Sequence, residues 1–419
     1  IATSDIGICW RKNGWGDNGE ISTKVKEYEL YKLKILTNNF NINIKSKNHI
    51  LIFKNANDFN NILKNYDKDV LIKGNYKILY MANTSLPKIS GYTIRTKYIL
   101  KEINKHYPII CFVKPTHPQL QQTRIYSIDN IIYYNYNDRK NYQKFLEYYI
   151  GKNISNINFI WAASDNYNGI ICGDIAKKLK IKSAYEIRGF WHYSRKYRES
   201  CENYFDEKFF NNYDKKEKIA CQMNDFILCE SNNILNICNK QYSINKSKLF
   251  LLSNGVDNFK ESNIKLKRSK ITFGYIGSIV SYEGLDNLIN QIKKIDDNKY
   301  DTELIIVGGG KTYDAIKTIN KINNLIKNIK NIKYVGSVPH EEVNKYYDMI
   351  DIICLPRIDC EVCNIVAPLK PFEAMINGKI VLASSVNALS EIITHNYNGI
   401  LFDKTNTNDL YIKMNEILE

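Results

Sequence analysis

The sequence predicts an α/β chain made of two doubly wound domains, on three observations. At 419 residues the chain exceeds what one ordinary core accommodates, so two or three domains are expected. Short apolar runs recur, among them Ile271–Ile276, Leu304–Val307, Ile350–Leu355 and Ile380–Ala383, and they read as strands buried on both faces of a parallel sheet. Several end near glycine and lead into helical periodicity, which is the strand, glycine loop and helix unit of a doubly wound sheet.

Residues 1–75 are rich in Asn, Lys and Ile and are expected to form an N-terminal extension packed on the first domain. Helical pieces are expected near Ile21–Leu36 and Ala56–Tyr66, and a strand at Asn48–Phe53. Asp67-Lys68-Asp69 has an Asp-x-Asp spacing that can hold a metal, but in a charged loop a solvated turn is the simpler reading. Tyr76–Ala82 is the first strand of the domain 76–257, followed by a loop with Pro87 and Gly91 and a helix over Thr93–Ile103. Ile109–Val113, Phe159–Ala163, Ser183–Ile187, Phe226–Glu230 and Lys248–Leu252 are its further strands, and a helix runs to about Leu179. Arg188-Gly189-Phe190-Trp191-His192-Tyr193, with Arg195, Lys196 and Arg198 behind, reads as a loop whose aromatics and cations suit a sugar-binding rim; capping of the core is the plainer role for Trp191 and His192. Residues 258–270 carry five cations without periodicity and read as a solvated linker, and 271–419 is the second domain.

The formal net charge of +15 attracts acidic partners, so an anionic membrane face is a candidate docking surface. No nucleic-acid recognition pattern accompanies the charge, and no nucleic acid partner is expected. The ten cysteines lie mostly in apolar runs, which points to a reducing cytoplasm. Cys360-Glu361-Val362-Cys363 is a lone CxxC without a second ligand pair, and no metal or other cofactor is expected. No run of about 18 apolar residues and no signal peptide is visible. The chain opens on Ile1, as a trimmed chain or the inner part of a longer protein would.

Pro356 to Glu391 organises the second domain. A buried strand leads through a polar loop to Pro371, which opens a short helix that Gly378 closes, before the next buried strand. The helix start then lies at the C-terminal edge of a parallel sheet, where free N–H groups favour an anion. Arg357 and Lys370 add positive charge there, and Glu373 can accept hydrogen bonds from sugar hydroxyls. A diphosphate attached to sugars satisfies all of these groups.

PLKPFEAMINGKIVLAS, with Glu391 beyond it, resembles the donor segment of retaining glycosyltransferases of family 4, as found in bacterial surface-polysaccharide synthesis. SLPKISGYTIRT, YEIRGFW, LLSNGVD, FGYIGSIVSYEGLD, LIIVGGG and YVGSVPHEEVNKYYDMIDI agree with it in order, over about residues 76–405. The resemblance implies the GT-B fold: two Rossmann-like domains facing across a cleft, here with an N-terminal extension. It implies sugar transfer from a nucleoside-diphosphate sugar to a glycan or lipid-linked acceptor; the cysteines and the basic charge lead us to expect a cytoplasmic chain that docks peripherally on the inner face of the membrane.

Lys370, Glu373 and His192, carried over by position, and Arg357, read from its charge near the helix start, are the catalytic candidates, and Gly91, Tyr92, Gly277, Ser278, Val338, Pro371 and Glu391 the donor-binding ones. Arg95, Glu186 and Arg188 fall on the acceptor side, with a helix-surface charge as the alternative for Arg95 and for Glu391 a helix-surface position. Two departures stand out. Many relatives place Arg and Lys where this chain has Ser278 and Glu283, so Arg357 and Lys370 are the expected substitutes. Relatives also carry a glutamate where this chain has Ile365. Two rival readings share the fold: a sugar-nucleotide epimerase, and a catalytically degenerate scaffold.

Overall fold

A computed structural model describes residues 6–9, 34–37, 50–52, 75–85, 90–114, 124–136, 140–152, 156–201, 205–256, 270–295 and 299–419. The expected helix at Ala56–Tyr66, the Asp67-Lys68-Asp69 turn, Pro87 and nearly all of the 258–270 linker lie outside these residues. Of the helix expected over Ile21–Leu36, residues 34–36 are described, and they belong instead to a strand, Lys34–Thr37. The strand expected at Asn48–Phe53 is present as Ile50–Ile52.

The protein is α/β, with one mostly parallel sheet of eight strands, one parallel sheet of six, and a small three-stranded sheet. Its chain divides into two compact units. The first comprises 1–82, 99–160 and 175–182, the second 83–98, 161–174 and 183–419. In the first unit Ile78–Ala82 pairs parallel with Ile109–Val113, which pairs parallel with Ile131–Asn135. Arg124–Ile128 runs antiparallel to the last, through a turn in which Asp129 and Asn130 take φ of 51° and 63°. Positive φ at both turn residues matches the twist of a two-residue hairpin.

In the second unit Lys182–Ile187, Phe226–Cys229 and Leu249–Leu251 are parallel neighbours. The six-stranded sheet has the spatial order 332–336, 302–307, 271–276, 352–355, 380–384, 400–402. That order reverses direction between Ile271–Ile276 and Ile352–Leu355, and in doubly wound sheets the ligand crevice opens beyond the carboxyl ends of the strands at such a reversal. The helix Leu285–Ile292 buries Leu285, Leu288, Ile289 and Ile292 on one stripe against Phe273, Tyr275, Leu304 and Ile306. This packing fixes the end of the first strand, and with it Gly277.

A helix replaces the loop expected after Arg188, and a second helix follows it. Trp191–Cys201 and Glu207–Met223 are helical, so the aromatic and cationic stretch after Arg188 is a helix start. Its periodicity was hidden because cations and aromatics alternate on several faces. No described helix is long and apolar enough to cross a membrane.

Candidate functional site

A pocket of about 900 Å³ lies wholly within the second unit, at the reversal point of the six-stranded sheet. Its lining draws Gly91, Tyr92, Arg95, Arg188, Glu230 and Asn254 together with Gly277, Ser278, Gly308, Val338, Lys370 and Glu373. Of the residues singled out from the sequence, Arg357, Pro371, Glu186, His192 and Glu391 do not line it.

Lys370 opens the helix Lys370–Ile376, whose Pro371 is buried at a position where no N–H is required. Its Nζ donates to Glu283 Oε1 at 2.7 Å and lies 5.0 Å from the centre of the Tyr275 ring. Arg357 donates from Nη2 to Glu283 Oε1 at 3.1 Å and from Nη1 to the Val366 carbonyl at 2.9 Å. Position 283, expected only as a place where a cation is missing, therefore holds the carboxylate that anchors both cations. Burial alone would raise the Glu283 pKa, but Arg357 and Lys370 outweigh it and hold it at about 2. Burial in turn lowers the Lys370 pKa, against the opposing pull of Glu283. The trio carries one net positive charge, and Lys370 is the member that lines the pocket.

Gly277 is needed for this arrangement. Its φ is +153°, and a β-carbon there would overlap Lys370 Cε. Glu373 stands one turn into the same helix, with the Tyr347 hydroxyl donating to its Oε2 at 3.4 Å. Burial raises the Glu373 pKa, while Lys370 and His340 act the other way.

A second buried ion cluster supports another part of the lining. Arg95 Nε and Arg188 Nε both donate to Glu186 Oε1, at 2.9 and 2.8 Å, and Arg188 Nη2 donates to Oε2 at 3.0 Å. Arg95 also donates to the carbonyls of Leu252 and Ser253 and to Asn254 Oδ1. Arg188 donates to the Tyr92 carbonyl and Thr96 Oγ1 and lies 4.4 Å from the Tyr92 ring centre. Burial opposes the charge on Glu186, yet Arg188 and Arg95 hold its pKa at about 2. Glu186 thus orients two arginines that line the pocket.

His192 is buried among Phe190, Tyr193, Phe210 and Tyr213, with Nε2 3.2 Å from Asp214 Oδ1. Glu391 accepts from the backbone N–H groups of Asn232 and Asn233 at 2.8 and 2.9 Å, at the start of the helix Asn232–Lys240. Glu230, Asn254 and Tyr347 are among the lining residues that were not singled out from the sequence. Glu230 had a legible signal, an acidic residue at the carboxyl end of an apolar strand.

Residues 257–419 match the family described as glycosyl transferases group 1. An uncharacterized glycosyltransferase of Methanocaldococcus jannaschii is 29% identical over 202 residues, covering 48% of this chain and 52% of the relative. A 41.2 kDa protein in the cps region of Klebsiella pneumoniae is 26% identical, covering 46% of this chain and 51% of the relative. The chain spans about half the length of these curated relatives. Among solved structures, Anabaena HepE in complex with UDP and glucose superposes with a TM-score of 0.60 at 15% identity, over 82% of this chain and 90% of that one. The lipopolysaccharide outer core galactosyltransferase WaaB gives 0.55 at 14% identity, over 81% and 90%. The fold is GT-B, and the match to the group 1 glycosyl transferase family falls on residues 257–419.

Proposed function

We propose that this chain is a retaining glycosyltransferase of the family 4 type. It moves a sugar from a nucleoside-diphosphate sugar to a glycan or lipid-linked acceptor of a bacterial surface polysaccharide. The observation that carries the reading is Lys370, a lining cation held by Glu283 at the start of the helix that also presents Glu373. As the nucleoside diphosphate leaves, negative charge grows on its phosphates. Lys370 and the N–H groups of that helix's first turn stabilise the growing charge, which lowers the barrier and not only the binding energy. Arg357 acts from behind, through Glu283 and the Val366 carbonyl. Glu373 accepts from ribose hydroxyls, and the departing phosphate takes the acceptor proton, so the protein supplies no nucleophile and no resident metal. Residues 271–419 form the donor domain in this reading and 76–257 the acceptor domain, and the basic chain works at the inner face of the membrane.

The structural neighbour bound to UDP and the cps-region relative support the nucleotide-sugar and the pathway class. Thermal stabilisation by UDP-, GDP-, ADP- and CMP-sugars tests the reading, because a ligand well above its dissociation constant adds roughly 3 to 4 kcal/mol. One nucleotide class should raise the melting temperature. No response to any of them would leave the scaffold reading, and donor turnover to an isomeric sugar nucleotide with no acceptor present would favour the epimerase.

A further inference from the structure

We infer that Glu230 is the acceptor-side carboxylate of this pocket, the group that positions a sugar acceptor by accepting a hydrogen bond from a hydroxyl other than the one whose proton the departing phosphate takes. This rests on the transferase reading above. Glu230 is 5% exposed and lines the pocket. One of its oxygens accepts from Asn254 Nδ2, and the same amide nitrogen donates to the Ala367 carbonyl at 3.0 Å. The other oxygen has no hydrogen bond among the described residues and is left to the pocket. An ionised carboxylate with a free lone pair in an apolar setting accepts strongly from a hydroxyl.

The neighbours distinguish Glu230 from Glu186. Both guanidinium groups nearby are already committed: Arg95 and Arg188 spend their Nε donors on Glu186 and their remaining donors largely on backbone carbonyls, Thr96 and Asn254. Glu186 is saturated and structural, whereas Glu230 receives only the neutral amide. Burial raises the Glu230 pKa to about 7, with Arg95, Asn254 and Arg188 opposing and Glu186 adding to the rise. A carboxyl that changes charge near neutrality, inside a pocket, is a frequent mark of a working group. Glu230 and the donor-side Lys370 line the same pocket, so an acceptor bound to Glu230 lies beside the donor.

The test compares wild type with Glu230→Gln, which keeps the Asn254 contact and removes the charge. Each protein is saturated with whichever of UDP, GDP and ADP stabilises wild type most. Affinity for a panel of methyl glycosides (gluco, galacto, manno and N-acetylglucosamine forms) is then measured by NMR titration. We expect nucleotide affinity within twofold in the two proteins and glycoside affinity at least tenfold weaker in the variant. In wild type that affinity should rise with pH through about 7, and in the variant it should be flat. No glycoside binding to nucleotide-loaded wild type, or equal binding to both proteins, overturns the assignment. So does a loss of UDP-glucose affinity with UDP affinity retained, which would place Glu230 on the donor sugar. A wild type that binds none of the three nucleotides defeats the transferase reading itself.

Discussion

Glu283 and Lys370 lie 2.7 Å apart inside the protein, and the same carboxylate takes Arg357 at 3.1 Å. Its folded pKa of about 2 lies below the ordinary 4.5, so its contribution to stability is complete above 4.5 and is lost as pH falls through 2. The difference of about 2.5 units corresponds to about 3 kcal/mol. Glu186, also held at about 2, loses its contribution in the same window. Glu283→Gln should cost about 3–5 kcal/mol at neutral pH, since two buried cations lose their counter-ion. Denaturant melts at pH 7 and pH 2.5 check the sign: the penalty must shrink at the lower pH. A penalty that stays constant would mean that the carboxylate's charge is unimportant.

Lys370→Met keeps most of the side-chain volume and leaves Glu283 paired with Arg357, so the fold should survive. Donor turnover should fall by about 10²–10³, as when one preorganised donor to a developing charge is lost. Nucleoside diphosphate affinity should fall by only about tenfold. Calorimetry against steady-state turnover separates the two numbers. Equal losses would reduce Lys370 to a binding group.

The strands of the second domain were legible because a strand buried on both faces is a continuous apolar run, and Ile352–Leu355 is wholly buried. The helix over Thr93–Ile103 was legible for a related reason, one apolar face after a glycine loop, and it extends to Gly91–Asn104. The hairpin Arg124–Ile128 and Ile131–Asn135 was missed, although Asp129-Asn130 between two β-rich runs was a usable signal. Lys370 and Glu373 could be placed from local sequence because one short helix carries both. What Glu283 does could not, since its partners are brought to it by the sheet reversal and not by neighbouring sequence. Pocket lining depends on such long-range pairing, so the sequence marked Arg357 and Lys370 alike while only Lys370 lines the pocket.

Gly277→Ala should act through Lys370. The new β-carbon would overlap Lys370 Cε, and a φ of +153° is itself strained for alanine. A destabilisation of about 1–3 kcal/mol and a loss of nucleotide affinity are expected. The double variant with Lys370→Met isolates the cause, because contacting residues are not additive. If the clash is the mechanism, Gly277→Ala costs much less affinity when Lys370 is already gone. Full additivity would mean that the backbone alone is responsible.

Cys360 should be the fastest-reacting of the described cysteines whose exposure is known. Cys111, Cys172, Cys221, Cys229, Cys238, Cys354 and Cys363 are buried, and Cys360 is only partly so. A hydrogen bond from Cys363 lowers the Cys360 pKa, burial opposes it, and backbone N–H groups and Arg357 assist. Cys363 moves the opposite way, raised by its bond to Cys360 and by burial. Thiolate and not thiol is the nucleophile, so brief treatment of the folded protein with iodoacetamide should label Cys360 well before Cys363. Peptide mapping after a time course reads this directly. Cys363→Ser keeps a hydrogen-bond donor at this position, whereas Cys363→Ala removes it. Labelling of Cys360 should therefore slow more in the alanine variant, and equal rates in wild type and Cys363→Ala would show that exposure alone sets the reactivity.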